Sequence, residues 1–203
     1  YYRYNGKLSD DEREGRFRTD SMKEFISYAV GCMVGRYSLD EPGLIYAHSR
    51  NEGFDPSRYQ TFPVDEDGIL LITDTSFFPD EVMTRLLKFI EKIWGIETLE
   101  RNMEFIADAL GMRNGENPRD TLRRYLINDF YSDHLRTYKK RPIYWLFSSG
   151  KEKAFQALVY LHRYHSGTLA RLRTEYVIPY IGFINRQIDN LEKDKDSAAA
   201  SAT

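Results

Sequence analysis

Two aromatic-rich runs, Pro142 to Ser149 and Ala154 to Tyr164, stand on either side of a Gly-Lys turn, and this pairing constrains the fold more than any other stretch of the chain. Pro142 breaks any incoming helix, and Ile143-Tyr144-Trp145-Leu146-Phe147 combines residue types suited to a pleated, half-buried surface. Gly150 supplies the permissive backbone for reversal. Beyond it Phe155, Ala157, Val159 and Leu161 alternate with Gln156, Leu158, Tyr160 and His162. The spacing predicts a β-hairpin with positive charge at both ends.

Around the hairpin the pattern is helical. Ser21 and Glu24 have the spacing of a capping box, and Phe25, Ile26, Ala29, Val30, Met33, Val34 and Tyr37 recur at helical intervals, so a helix is expected from Ser21 to about Ser38. Gly31 and Gly35 lie on one face of it, a placement that suits close packing against another backbone. Leu39 to Thr75 is punctuated by Pro42-Gly43, Gly53, Pro56, Pro63 and Asp67-Gly68, and predicts a long irregular excursion with a short strand or two, at Leu44 to Ala47 and Ile69 to Thr73. Helices are expected from Pro79 to Gly95, then along Leu99, Met103, Ile106 and Leu110 to Gly111, then from Pro118 with Asn117 as N-cap. Thr168 to Lys193 predicts one long helix, kinked at Pro179 and able to project or to pair with another helix. Residues 1–20 are polar and aperiodic and are expected to be a linker, and 194–203 a disordered tail, leaving 21–193 as a single domain. The start at Tyr1 without Met and the low-complexity end suggest a piece of a longer protein.

With 203 residues, 41% hydrophobic and 14% aromatic, the chain can bury a sizeable core. It has no apolar run of membrane-spanning length, and its single cysteine, Cys32, suits a reducing cytoplasm and a small core residue's role. A net charge of −2 hides a lopsided distribution: Asp40 to Glu81 holds ten acidic and two basic residues, whereas Pro118 to Glu175 holds twelve basic and five acidic. Such a field can steer a polyanion to one face, although ordinary solvated surfaces look the same in sequence.

Several chemistries lack their minimal motifs. Neither GxxxxGK[ST] nor GxGxxG occurs, so no phosphate-cradling loop is expected. One Cys and four His supply no zinc spacing, and His162 and His165 would fall on opposite faces of a strand. No carboxylate is followed two residues later by Lys, as a metal-dependent nuclease would need. Adenine methylation uses an Asn/Asp-Pro-Pro-aromatic turn to hold the flipped base, but Asn117-Pro118 continues as Arg119-Asp120. The segment is therefore expected to catalyse nothing by itself and to bind no cofactor or metal.

Five blocks in order, Phe25 to Asp40, Gly43 to Ala47, Lys140 to Gly150, Ala157 to Tyr164 and Leu169 to Thr174, resemble the C-terminal half of PglX-type DNA adenine methyltransferases. These belong to BREX phage-defence systems and are similar to type IIG restriction-modification enzymes. The resemblance implies that the S-adenosylmethionine loop and the catalytic turn lie in a missing N-terminal methylase domain. It implies for this piece a role in DNA engagement, target recognition or spacing; the alternative is a scaffold that docks the methylase domain or other defence proteins. Physics then picks the candidates for double-stranded DNA: Lys139, Lys140, Arg141, Lys151, Lys153, Arg163, Arg171 and Arg173 for phosphates, extended by Arg119, Arg123 and Arg124. Tyr144, His162 or Tyr164 would reach base edges if their strand face is open; otherwise Tyr144, Trp145 and Tyr164 fill the core, and Arg141 pairs with a carboxylate. The expected fold class is α+β, mostly helical, with about five helices around a small antiparallel hairpin or sheet and a long C-terminal helix.

Overall fold

The computed structural model describes residues 7–201, with side chains as far as Lys195. The chain divides into two compact units, parted between Tyr164 and His165. The first contains α1 (Asp10–Met33), β1 (Ile69–Thr73), α2 (Val82–Trp94), α3 (Leu99–Ala109), α4 (Pro118–Asn128), α5 (Phe130–Thr137), β2 (Tyr144–Ser148) and β3 (Phe155–Tyr160). The second is α6 (Thr168–Arg171), a π turn over Leu172–Val177, and α7 (Ile178–Ser201). The α+β class holds, and the residues from His165 onward form a unit of their own.

The hairpin forms as its alternation requires, in antiparallel register from Tyr144↔Tyr160 to Ser148↔Gln156. β1 pairs with the other side of β3, from Ile69↔Val159 to Thr73↔Phe155, giving the order β1-β3-β2. As the central strand, β3 is buried along its whole length. One sheet face, with Leu70, Ile72, Tyr144, Leu158 and Tyr160, closes the core made by Ile26, Val30 and Met33 of α1, Leu86 and Phe89 of α2, Met103 and Ile106 of α3, and Leu122 and Leu126 of α4.

α1 starts well before Ser21. Ser9 Oγ accepts from the Glu12 N–H at 3.2 Å while the Glu12 carboxylate accepts from the Ser9 N–H at 2.8 Å, and Asp10, Asp11 and Glu12 complement the helix dipole. The first turns face solvent, so they carry no apolar period. Tyr1–Gly6 of the expected linker lie outside the described residues. At its other end the helix stops at Met33 in a Schellman turn: the Gly35 N–H donates to Cys32 O at 3.2 Å and the Arg36 N–H to Gly31 O at 2.8 Å, with Gly35 at φ +83°. Gly31 and Gly35 therefore do not share a helical face, and what lies against Gly31 is the Tyr37 ring, 2.5 Å from where a Cβ would stand. Burial holds the Cys32 thiol protonated, its pKa pushed up to about 12.

Leu39 to Gly68 is irregular apart from one 3-10 turn, and Leu44 to Ala47 forms no strand. α2 begins at Val82, three residues after Pro79, because Glu81 is fully buried, accepting from Thr73 Oγ1 at 2.7 Å, Ser76 Oγ at 2.9 Å and Arg123 Nη2 at 2.9 Å. Asn117 caps α4 as expected, accepting from the Asp120 N–H at 3.0 Å. The expected kink at Pro179 becomes a widened π turn just before it, where the ladder adjusts to the missing N–H. α7 continues to Ser201, so most of the expected loose tail is helical, and 202–203 lie outside the described residues. No helix among the described residues is long and apolar enough to cross a membrane.

Candidate nucleic-acid interface

The candidate surface is built around β2, the sheet's edge strand. α5 delivers the chain to it through a second Schellman turn, in which the Lys139 N–H donates to Arg136 O at 3.2 Å and the Lys140 N–H to Leu135 O at 2.8 Å. Both lysines hold left-handed backbone, φ 50° and 62°, and Lys139 stands where glycine is usual. Lys153, in the turn after β2, has φ 54°. Among the described non-glycine residues at positive φ, namely Arg50, Asn51, Lys139, Lys140 and Lys153, four are cations. A Cβ in this region costs about 1–2 kcal/mol, so these charges stand on tight turns despite a backbone penalty.

Lys139, Lys140, Arg141 and Lys151 are exposed, and Lys153 is half-buried with its Nζ on Asn128 Oδ1 at 3.0 Å. Among the described residues no ion pair is found for Arg141. Between the two groups lies Trp145, 45% exposed, its ring edge-on to Tyr164 at 5.1 Å. The alternative that put Trp145 in the core fails: alternation turns it away from Tyr144 to the other sheet face, and there, on the edge strand, it is exposed although its cross-strand partner Val159 is buried. The Tyr131 hydroxyl donates to Tyr144 O at 3.5 Å, blunting the strand's free edge.

The rest of the expected patch is enclosed, paired with carboxylates or set in the second unit. Arg163 is 2% exposed: Nη1 donates to Asp65 O at 2.6 Å, Nη2 to Glu66 O, Nε to Asn51 Oδ1 at 3.0 Å, and the guanidinium lies 3.9 Å from the Phe54 ring centre. It straps the excursion to the sheet instead of facing solvent. Tyr144 is buried against His134 at 4.8 Å and Tyr160 at 5.8 Å, so it reads no base. His162 sits in a 3-10 turn, not on a strand, half-buried with Nδ1 3.2 Å from His48 O, and burial lowers its pKa. Arg119 pairs with Glu100 at 3.3 Å, Arg123 with the buried Glu81, and Arg124 grips Glu116 at 2.7 and 2.9 Å, holding that carboxyl down near a pKa of about 2. Arg171 and Arg173 belong to the second unit, where Arg171 pairs with Glu175 at 2.8 Å and Arg173 is exposed.

Among the described residues, no group of three or more His, Cys, Asp or Glu side chains could hold a metal ion. Asn117 is committed as a helix cap, its Nδ2 donating to Asp120 Oδ2 at 2.7 Å, so it is not free to hold a base. In the cleft between α1 and α5, Asp133 already accepts from Lys23 at 2.9 Å and from the Tyr125 hydroxyl at 3.2 Å.

Beneath the Arg163 strap lies a buried carboxylate pair. Asp65 Oδ1 accepts from the Asp67 N–H at 3.2 Å and the Gly68 N–H at 2.8 Å, and burial, reinforced by Asp67 and opposed by Arg85, raises the Asp65 pKa to about 7. A folded pKa raised above the unfolded 3.8 means that this group's stabilisation is full below about pH 4 and lost as pH rises through about 7. Asp65→Asn keeps both acceptor bonds and removes the charge. Its unfolding midpoint at pH 8 is expected to exceed that of the parent, and its pH dependence between 5 and 8 to flatten; denaturant titrations across that range check it.

Two curated relatives fix the kinship. The chain is 49% identical to the adenine-specific methyltransferase BrxX of Escherichia coli O9:H4 (strain HS) over 207 aligned positions, covering 98% of this chain and 17% of that protein. This chain is a homologue of one segment of the adenine-specific methyltransferases BrxX and PglX. To PglX of Lacticaseibacillus casei (strain Zhang) it is 46% identical over 179 positions, covering 87% of this chain and 15% of PglX. It thus spans about a sixth of the length of these BrxX and PglX relatives. No family model matches it.

Proposed function

We propose that this chain is a non-catalytic, C-terminal region of a BREX-type DNA adenine methyltransferase, and that it grips the backbone of double-stranded DNA along the β2 edge. Lys139, Lys140 and Arg141 contact phosphates at one end and Lys151 at the other. The observation that carries the reading is the exposed cations at both ends of the edge strand, Lys139 and Lys140 among them on left-handed backbone. β2 is five residues long, about 17 Å at 3.4 Å per residue, the axial length of about five base pairs. Trp145 lies where a side chain would approach a groove or stack on a displaced base. S-adenosylmethionine and the methyl transfer belong, in this reading, to the methylase domain of the parent polypeptide, and this region supplies sequence-independent grip and spacing.

The test is the salt dependence of duplex binding by the full-length enzyme between 50 and 200 mM salt. Each lost phosphate contact lowers the logarithmic slope by about 0.9, so Arg141→Ala combined with Lys151→Ala is expected to reduce it by about 1.8. An unchanged slope removes β2 from the DNA surface.

A further inference from the structure

Ile181, Ile184, Ile188 and Leu191 of α7 follow the 3-4-3 spacing of a coiled-coil seam, and Ile178 widens the stripe by one position. Three of the four seam residues are largely bare: Ile181 is 53% exposed, Ile188 47% and Leu191 68%. Arg186, Asp189, Asn190 and Lys193 occupy the opposite face, so beyond Phe183 the helix is amphipathic, with Ile188 and Leu191 of its apolar side exposed.

We infer that this stripe seats an amphipathic helix from the same parent polypeptide, outside the present segment. The seam is short, covering ten residue steps from Ile181 to Leu191, about 15 Å of helix. A free coiled coil needs about three to four heptads, so two copies meeting in solution through this seam alone would part. A tethered partner works at an effective concentration in the millimolar range, and five-sixths of a BrxX-length polypeptide lies outside this segment and is available for tethering. Glu192 and Asp194 flank the seam at its C-terminal end, which selects a partner whose own flanks carry Lys or Arg. The partner is thus a helix with apolar residues at i, i+3, i+7 and a basic border. This inference rests on the kinship and the α7 geometry, not on the DNA grip.

A photo-reactive residue placed at Ile188 in the full-length enzyme tests it. Irradiation is expected to link α7 to an apolar helix of the same polypeptide outside these 203 residues, independently of protein concentration. Linkage between two copies, linkage to a different protein, or no linkage overturns the inference. Ile188→Lys with Leu191→Lys gives a second readout: amide exchange along α7 of the full-length enzyme is expected to speed up at least tenfold, whereas unchanged exchange counts against a seated helix. Neither outcome alters the salt slope of DNA binding, so the two readings fail separately.

Discussion

Arg163→Ala is expected to destabilise the protein by about 3–5 kcal/mol, the range for removing one partner from a buried charged network. The loss has several sources acting together. The Asp65 and Glu66 carbonyls and Asn51 Oδ1 lose a charged donor that water cannot replace without opening the loop, and the Phe54 ring loses the cation stacked on it. The effect spreads because the same loop returns to α1, where the Asp65 N–H donates to Met33 O at 2.7 Å, and to the strap's own turn, where the Asn51 N–H donates to His162 O at 3.0 Å. Gly68, at φ +75°, lets the Arg163 stem pass, a Cβ there standing 3.1 Å from Arg163 Cβ. Arg163→Lys is expected to lose most of the same stability, since a single ammonium cannot reach three acceptors in a fork or lie flat on a ring. Denaturant unfolding measures both. A near-parental Arg163→Lys would show that charge alone matters there.

That residue also marks where sequence reading stops. The hairpin was legible because period-two alternation, Pro142 and Gly150 are local signals, although the pairing register came only with the structure. Which side of each pair meets solvent is a property of what packs on the sheet. Arg163 and Arg141 look alike in sequence, yet one is enclosed by carbonyls contributed from about 100 positions away while the other is bare. The same blindness covers Arg123 and Arg124, whose partners Glu81 and Glu116 lie on preceding loops that no periodicity describes. At the N-terminus the error ran the other way: Ser9 and Glu12 carry the same capping spacing as Ser21 and Glu24, but a helix polar on all sides has no apolar rhythm to announce it. Left-handed lysines are invisible for a further reason. A Schellman turn is normally recognised by its glycine, and Lys139 holds that place without one.

The double variant Lys139→Gly, Lys140→Gly is expected to move stability and DNA affinity in opposite directions. Glycine takes the left-handed conformation at no steric cost, so each substitution relieves a backbone penalty of about 1 kcal/mol, and the midpoint of thermal unfolding should rise by a few degrees. The turn's hydrogen bonds come from the backbone alone and survive the change. Affinity behaves differently if these ammonium groups release counterions from phosphate. With a slope of about −0.9 per contact, each contact is worth about eightfold at 0.1 M relative to 1 M salt, so losing two weakens binding at 0.1 M by about sixtyfold. A merely structural role for the turn would instead let affinity hold or improve with stability. Thermal unfolding and salt-resolved duplex titration of the same full-length variant therefore separate the two: a more stable protein that still binds DNA with its parental slope excludes Lys139 and Lys140 from the interface, whereas a more stable, weaker binder can be explained only by the loss of their charge.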